Sequence, residues 1–159
     1  MRILLVCLGN ICRSPAAEVA LRARAQAAGL TASFESCGTG DWHRGEPPHP
    51  PMIAAAARIG LDLTGLRARQ IAPADFAGHD LLLAMDRQNL RDIEALRPRP
   101  GGARAQLYLS VLPDAGPDVP DPWFTRDFDG VMALIDRAAG AWVDQLRAQS
   151  ASAASPKER

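Results

Sequence analysis

The chain is short of several things at once. Its 159 residues include one lysine, one tyrosine, three cysteines and three histidines, and 18 Lys and Arg balance 18 Asp and Glu. A net charge of zero removes the electrostatic case for nucleic acid or an anionic membrane as a partner. No apolar stretch reaches the roughly 18 residues that a spanning helix needs. The apolar start, residues 3–7, ends at Gly9-Asn10 and meets Arg13, too soon for a secretory leader. The expected location is therefore the cytoplasm. In that reducing compartment an odd number of cysteines speaks against a disulfide framework. Cys37, His43 and His49 lack the spacing of zinc ligands, so neither a metal nor a cofactor is expected. The basic charge comes as 17 arginines spread along the chain, a compositional bias and not a patch.

What is present suffices for one domain. Hydrophobic residues make up 47% of the chain and charged ones 23%, too apolar for a disordered polymer. A globule of this length buries roughly 68–70% of its unfolded surface and needs no staple. Residues 3–6 form a continuous β-prone run, the pattern of a buried strand. Ser14-Pro15 then supplies a helix cap and first turn, and Gly29 a stop, which predicts a helix to about residue 28. Further strands are expected over 32–37, 79–84 and 106–111, and further helices over 52–59 and 87–96. Loops rich in proline, glycine or aspartate fill 38–51, 97–104 and 113–122. Val131, Leu134, Ile135, Ala138, Trp142, Val143 and Leu146 fall on one stripe of a final helix. The domain is expected to span 1–148, with 149–159 a disordered tail. Strands alternating with helices predict an α/β fold, a parallel sheet covered on both faces, with ligands bound at the carboxyl ends of the strands.

The segment Cys7-Leu8-Gly9-Asn10-Ile11-Cys12-Arg13-Ser14 stands at such an end. A bare Cys-x5-Arg is cheap in so arginine-rich a chain, and a buried cysteine is ordinarily inert packing. The strand before it and the Ser-Pro after it change that reading. A loop curling into a helix N-terminus turns backbone N–H groups inward, a nest for a phosphate-like dianion. Gly9 and Asn10 tolerate the left-handed backbone that a tight cradle needs. Arg13 can offer its planar fork to two oxygens at once. Cys7, at the bottom among donors, is favoured as a thiolate nucleophile, and Ser14 is placed to donate its hydroxyl proton to the sulfur. The rival phosphate cradle, the Walker loop, needs a Gly-Lys-Ser/Thr that is absent. Cleaving a phosphate ester also needs an acid for the leaving oxygen. Asp121, between Pro120 and Pro122, is one candidate, held extended and aimed by Pro122; Asp114 and Asp118 are others.

The first motif, with the later Asp121-Pro122-Trp123, resembles the low-molecular-weight protein tyrosine phosphatases of bacterial type. The likeness extends to about Leu146, with Ser36-Cys37-Gly38-Thr39, Ala68-Arg69-Gln70 and Met85-Asp86 as supporting segments. It implies a three-layer fold on a four-stranded twisted parallel sheet, with the phosphate-binding loop after the first strand. It implies a phosphocysteine on Cys7, Arg13 as phosphate clamp and Asp121 as general acid and then base. Asn10, Ser14 and Ser36 would brace the loop, and Cys12 would pair with Cys7 under oxidation. Leu8 and Ile11 would line the pocket wall, and Trp42, Trp123 and Phe124 its mouth, where loop aromatics suit a phenyl ring. The expected partners are a phosphotyrosine protein and, in the site, phosphate or another oxyanion; no nucleic acid or membrane is expected, and the chain is expected to act as a monomer.

Four rivals remain. Relatives acting on phosphoarginine resemble this chain but carry threonine where Ile11 stands, so Ile11 favours phosphotyrosine. Arsenate reductases of similar fold relay oxidation through a later cysteine pair, and no cysteine follows Cys37. A phosphotyrosine-binding module or a redox sensor would share the loop without turnover. Departures from the family pattern fall at His49-Pro50-Pro51, at Leu66 (a histidine in animal members) and at Trp123-Phe124, which replaces phosphorylatable tyrosines.

Overall fold

The apolar run at the start of the chain becomes β1 (Arg2–Cys7), the strand around which the rest is laid. The structure, a computed structural model, describes residues 1–98 and 101–154. β1 pairs in parallel with β2 (Ser33–Gly38) on one side and β3 (Leu81–Ala84) on the other, and β4 (Arg104–Leu107) adds to β3, giving the order β2-β1-β3-β4. A sheet buried on both faces needs apolar side chains in both directions, and β1 supplies them. Ile3, Leu5 and Cys7 point into a core shared with α1 (Arg13–Ala27), α2 (Pro50–Arg58) and α6 (Phe128–Ala154). Leu4 and Val6 point the other way, with Cys37, Phe76 of α3 (Asp75–Gly78) and Ile93 of α4 (Arg87–Leu96). This is the expected three-layer α/β fold.

The predicted stripe of α6 is its buried face: Val131, Ile135, Ala138, Trp142, Val143 and Leu146 are all buried, with Leu134 at the edge. Arg24 locks α1 to α6 through a two-pronged pair with Asp136, both contacts at 2.9 Å. Gly29 ends α1 as expected, at φ 68°.

Local expectations failed where tertiary packing decided. The run 106–111 is strand only to Leu107; Tyr108–Val111 turns into a 3-10 helix. Its apolar side chains are claimed by α6 and not by the sheet: Tyr108 Oη donates to the Ile135 carbonyl and Trp142 Nε1 to the Tyr108 carbonyl, each at 2.7 Å. The α3 turn was not anticipated. α6 does not stop where its apolar stripe does but continues through 149–154, where a disordered tail was expected; the alanines at 148, 151, 153 and 154 are strong helix formers. The remainder of that expected tail, 155–159, lies outside the described residues. Among the described residues no helix is long and apolar enough to cross a membrane.

Candidate active site

The loop that leaves β1 is held from three directions. β2 runs on past its last pair, so that the Thr39 N–H donates to the Cys7 carbonyl and the Gly40 N–H to the Leu8 carbonyl, both at 2.9 Å. Gly38 must be glycine for that approach, since a Cβ there would lie 2.6 Å from Leu8 O. From α2, the His49 N–H donates to the Ile11 carbonyl at 2.8 Å. Asn10 takes the left-handed conformation at φ 57°, the one turn that folds the loop back over itself.

Ser14 was expected to cap α1. The helix instead starts at Arg13, with Cys12 in the cap position and no side-chain cap. The Ser14 hydroxyl is committed to the loop: Oγ lies 2.9 Å from Cys7 Sγ, accepts from Asn10 Nδ2 at 2.9 Å and reaches the Cys37 carbonyl at 3.2 Å. The Asn10 N–H also donates to Cys7 Sγ, at 3.3 Å. Asn10 goes on to bridge the loop to β2, donating to Ser36 Oγ at 3.0 Å and accepting the Arg69 N–H at 3.0 Å.

That chain of hydrogen bonds has an end which sequence reasoning missed. Ser36 Oγ donates at 2.7 Å to Glu18, a buried carboxylate of α1 whose other oxygen takes the guanidinium of Arg22. Glu18 lies one turn beyond Ser14 on the same helix face, and that spacing was the available signal. Glu18→Ala leaves the Ser36 hydroxyl without its acceptor. The expected cost is about 1–3 kcal/mol of stability, measurable as a lower urea midpoint, whereas Glu18→Gln retains an acceptor and most of that stability.

Arg13 is 3% exposed and reaches across the site. Its Nη1 donates to Asp86 at 2.8 Å and to the Val119 carbonyl at 3.0 Å, and its Nη2 lies 3.5 Å from Asp121. Burial works against the cation, but the Cys7 sulfur, with Asp86 and Asp121, outweighs it and the guanidinium pKa is raised. Asp86, the N-cap of α4, is a second partner the sequence did not single out as a site residue. Asp121 does two jobs: Oδ1 caps the short helix α5 (Pro122–Thr125) by accepting the Trp123 N–H at 3.0 Å, and Oδ2 faces Arg13. The competing acids are occupied elsewhere, Asp118 with Arg87 and Asp114 with Arg137.

These groups line a cleft of about 240 Å³. Cys7, Cys12, Arg13 and Asp121 meet there; Leu8, Gly9 and Ile11 line it, and Trp42, Trp123 and Phe124 stand about it. His43 also lines it and is hydrogen-bonded to Glu46 at 2.7 Å. Burial, then the nearby Cys7 and Asp121, push the Cys12 thiol up to about 12, so Cys12 stays protonated. Cys37 is raised by burial too and belongs to the apolar core on the other face of the sheet, away from Cys7. The two thiols thus face opposite sides of the sheet, which speaks against a relay between them.

The departure at His49 also finds a use. Its ring packs between Trp123 and Phe128, at 5.0 and 5.6 Å between centroids, and buries Nε2 without a partner. Burial first, then Arg126 and His43, lower its pKa below 6.5. The unfolded chain therefore takes up that proton first, and stability is lost as pH falls below about 6.5, well above the range of ordinary carboxylates. His49→Phe is expected to remove that part of the acid-side loss, read from urea midpoints between pH 7 and 5.

Comparison with known proteins agrees with the geometry. A family model described as low molecular weight phosphotyrosine protein phosphatase matches residues 2–152. The chain is 37% identical over 136 residues to the low molecular weight protein-tyrosine-phosphatase YfkJ of Bacillus subtilis, covering 84% of this chain and 87% of that one. The crystal structure of YfkJ superposes with a TM-score of 0.89 at 33% identity, over 94% of this chain and 96% of that one. A protein tyrosine phosphatase from Entamoeba histolytica, solved with Hepes in its active site, gives 0.87 at 26% identity, over 94% and 99%. The Drosophila arginine phosphatase gives 0.84 at 27% identity, over 91% and 97%. By sequence over nearly its whole length, and by the fold that sets the Cys7 loop at the end of β1, the chain belongs to the low molecular weight phosphotyrosine protein phosphatase family of enzymes.

Proposed function

We propose that the chain hydrolyses phosphotyrosine in protein substrates by double displacement through Cys7. The observation that carries this reading is one sulfur, bonded to the Ser14 hydroxyl and the Asn10 N–H, in the same cleft as a buried arginine and a carboxylate. The Asn10 N–H donates to the sulfur, the Ser14 hydroxyl can turn its one proton from the Cys37 carbonyl to it, and Cys12 is held as a thiol. In the first step Cys7 Sγ attacks phosphorus, the bond to the tyrosyl oxygen breaks, and Asp121 gives its proton to that oxygen. Arg13 and the N-terminus of α1 hold the non-bridging oxygens. In the second step the Asp121 carboxylate takes a proton from water, the water oxygen attacks phosphorus, and the S–P bond breaks to return the thiolate and release phosphate.

Under oxidant, Cys7 sulfenic acid attacked by the Cys12 sulfur would lose water and close a disulfide, which thiol reduces again. The aromatic rim and the apolar Ile11 wall suit a phenyl ring. The neighbouring arginine phosphatase gives a second reading specific content, since a guanidinium also stacks on aromatic faces. Phosphate release from matched phosphotyrosine, phosphoserine and phosphoarginine peptides separates them. The proposal expects phosphotyrosine to lead by at least tenfold; phosphoarginine leading would replace it, and binding of phosphotyrosine peptide without release would make the chain a binding module.

A further inference from the structure

The cleft wall has a second side. Trp42 is 69% exposed, yet its indole rests on the backbone of Gly40, where a built Cβ would lie 1.9 Å from Cζ3. Gly40 is in turn tied to Leu8 through the backbone hydrogen bond already described. Leu8, itself 37% exposed, and Trp42 line the cleft and also a neighbouring groove of about 310 Å³. The far wall of that groove is the end of α4, with Ala95 and the exposed Leu96, and among the described residues Asp92 is its one charged lining group. Trp42 and Leu8 are thus a partition between two cavities.

We propose that this groove receives an aliphatic side chain of the substrate two residues from the phosphotyrosine, a statement that rests on the reading of the cleft given above. A phosphotyrosine seated in the cleft carries its flanking chain past Trp42, so the two cavities are continuous for one ligand. In an extended peptide successive side chains point to opposite sides, and side chains two apart share a side at about 6.6–6.8 Å. A partition one side chain thick separates its two neighbours by two contact distances, about 7–8 Å in all. That spacing selects the second residue and excludes the first, whose side chain points away from the surface. The walls Leu8, Trp42, Ala95 and Leu96 are apolar, and Asp92 repels an acidic occupant. The groove is preformed: its floor is hydrogen-bonded to the phosphate loop, and α4 is anchored at its start by Asp86, which also holds Arg13. Little ordering cost offsets the contact.

The test uses an alanine-based phosphotyrosine peptide series with leucine placed singly from three residues before to three after, and glutamate at the same positions. Hydrolysis of p-nitrophenyl phosphate, which does not reach the groove, is measured alongside. Leucine two residues from phosphotyrosine, on one side only, is expected to raise kcat/KM about tenfold over alanine, with glutamate there lowering it and adjacent positions flat. Leu96→Lys is expected to abolish the leucine gain while p-nitrophenyl phosphate turnover stays within twofold, which also certifies the variant's fold. A flat profile, a preference at the adjacent residue, or a gain that survives Leu96→Lys overturns the proposal. Absence of p-nitrophenyl phosphate turnover in the wild type rejects the phosphatase reading itself and the groove's role with it.

Discussion

Cys7→Ser is expected to lower kcat for phosphotyrosine peptide by on the order of 10⁵-fold, a loss typical of removing the nucleophile of a hydrolase. The fold gives the substitution little to disturb. Cys7 is buried at the end of β1, and serine is smaller and keeps a hydrogen-bonding atom facing Ser14 and the Asn10 N–H. What disappears is the sulfur nucleophile, which a serine hydroxyl in the same place replaces only poorly. Arg13, with its contacts to Asp86 and Val119, remains in place. Peptide binding by Cys7→Ser, measured by calorimetry, is therefore expected to stay within a few-fold of the wild-type KM. A variant that retains a tenth of wild-type turnover would assign the nucleophile elsewhere.

Asp121→Asn separates the acid from the cap. Asparagine caps helices as well as aspartate does, so α5 and the Trp123 backbone contact persist. The proton for the leaving oxygen does not. Tyrosyl phosphate, with a poor leaving group, is expected to lose about 10²–10⁴-fold in kcat. p-Nitrophenyl phosphate, whose leaving group needs little protonation, is expected to lose far less in its first step. Equal losses on the two substrates would show that Asp121 matters by position and not as an acid.

The parts of this site that are local in sequence were legible in it. A buried strand, a Gly9-Asn10 turn and a helix that opens at Arg13, just before Ser14-Pro15, fix the Cys7–Arg13 geometry within one short stretch, and the left-handed Asn10 follows from the same residues. Of the two duties expected of Ser14, the contact with Cys7 is made and the cap is not, because the cap is a local propensity while the hydroxyl finds partners that include a backbone carbonyl of β2. Glu18 and Arg22 stand at ordinary helical spacing; what ties the carboxylate to the site is Ser36, which meets it from β2. Asp86 and His49 are likewise defined by what crosses to them, Arg13 and Trp123, from distant segments. The shortened β4 has the same origin, since the apolar run after Leu107 satisfies α6 as well as it would satisfy a sheet.

Acid-quenched mass spectrometry reaches the covalent step directly. Asp121→Asn, mixed with excess p-nitrophenyl phosphate and quenched within one turnover, should accumulate the phosphorylated enzyme, because the first step needs little acid and the second lacks its base. One phosphoryl group per chain is expected, located by fragmentation on Cys7 and absent when Cys7→Ser is added. A chain that turns over with no trapped phosphoryl group, or with phosphate on another residue, would contradict it.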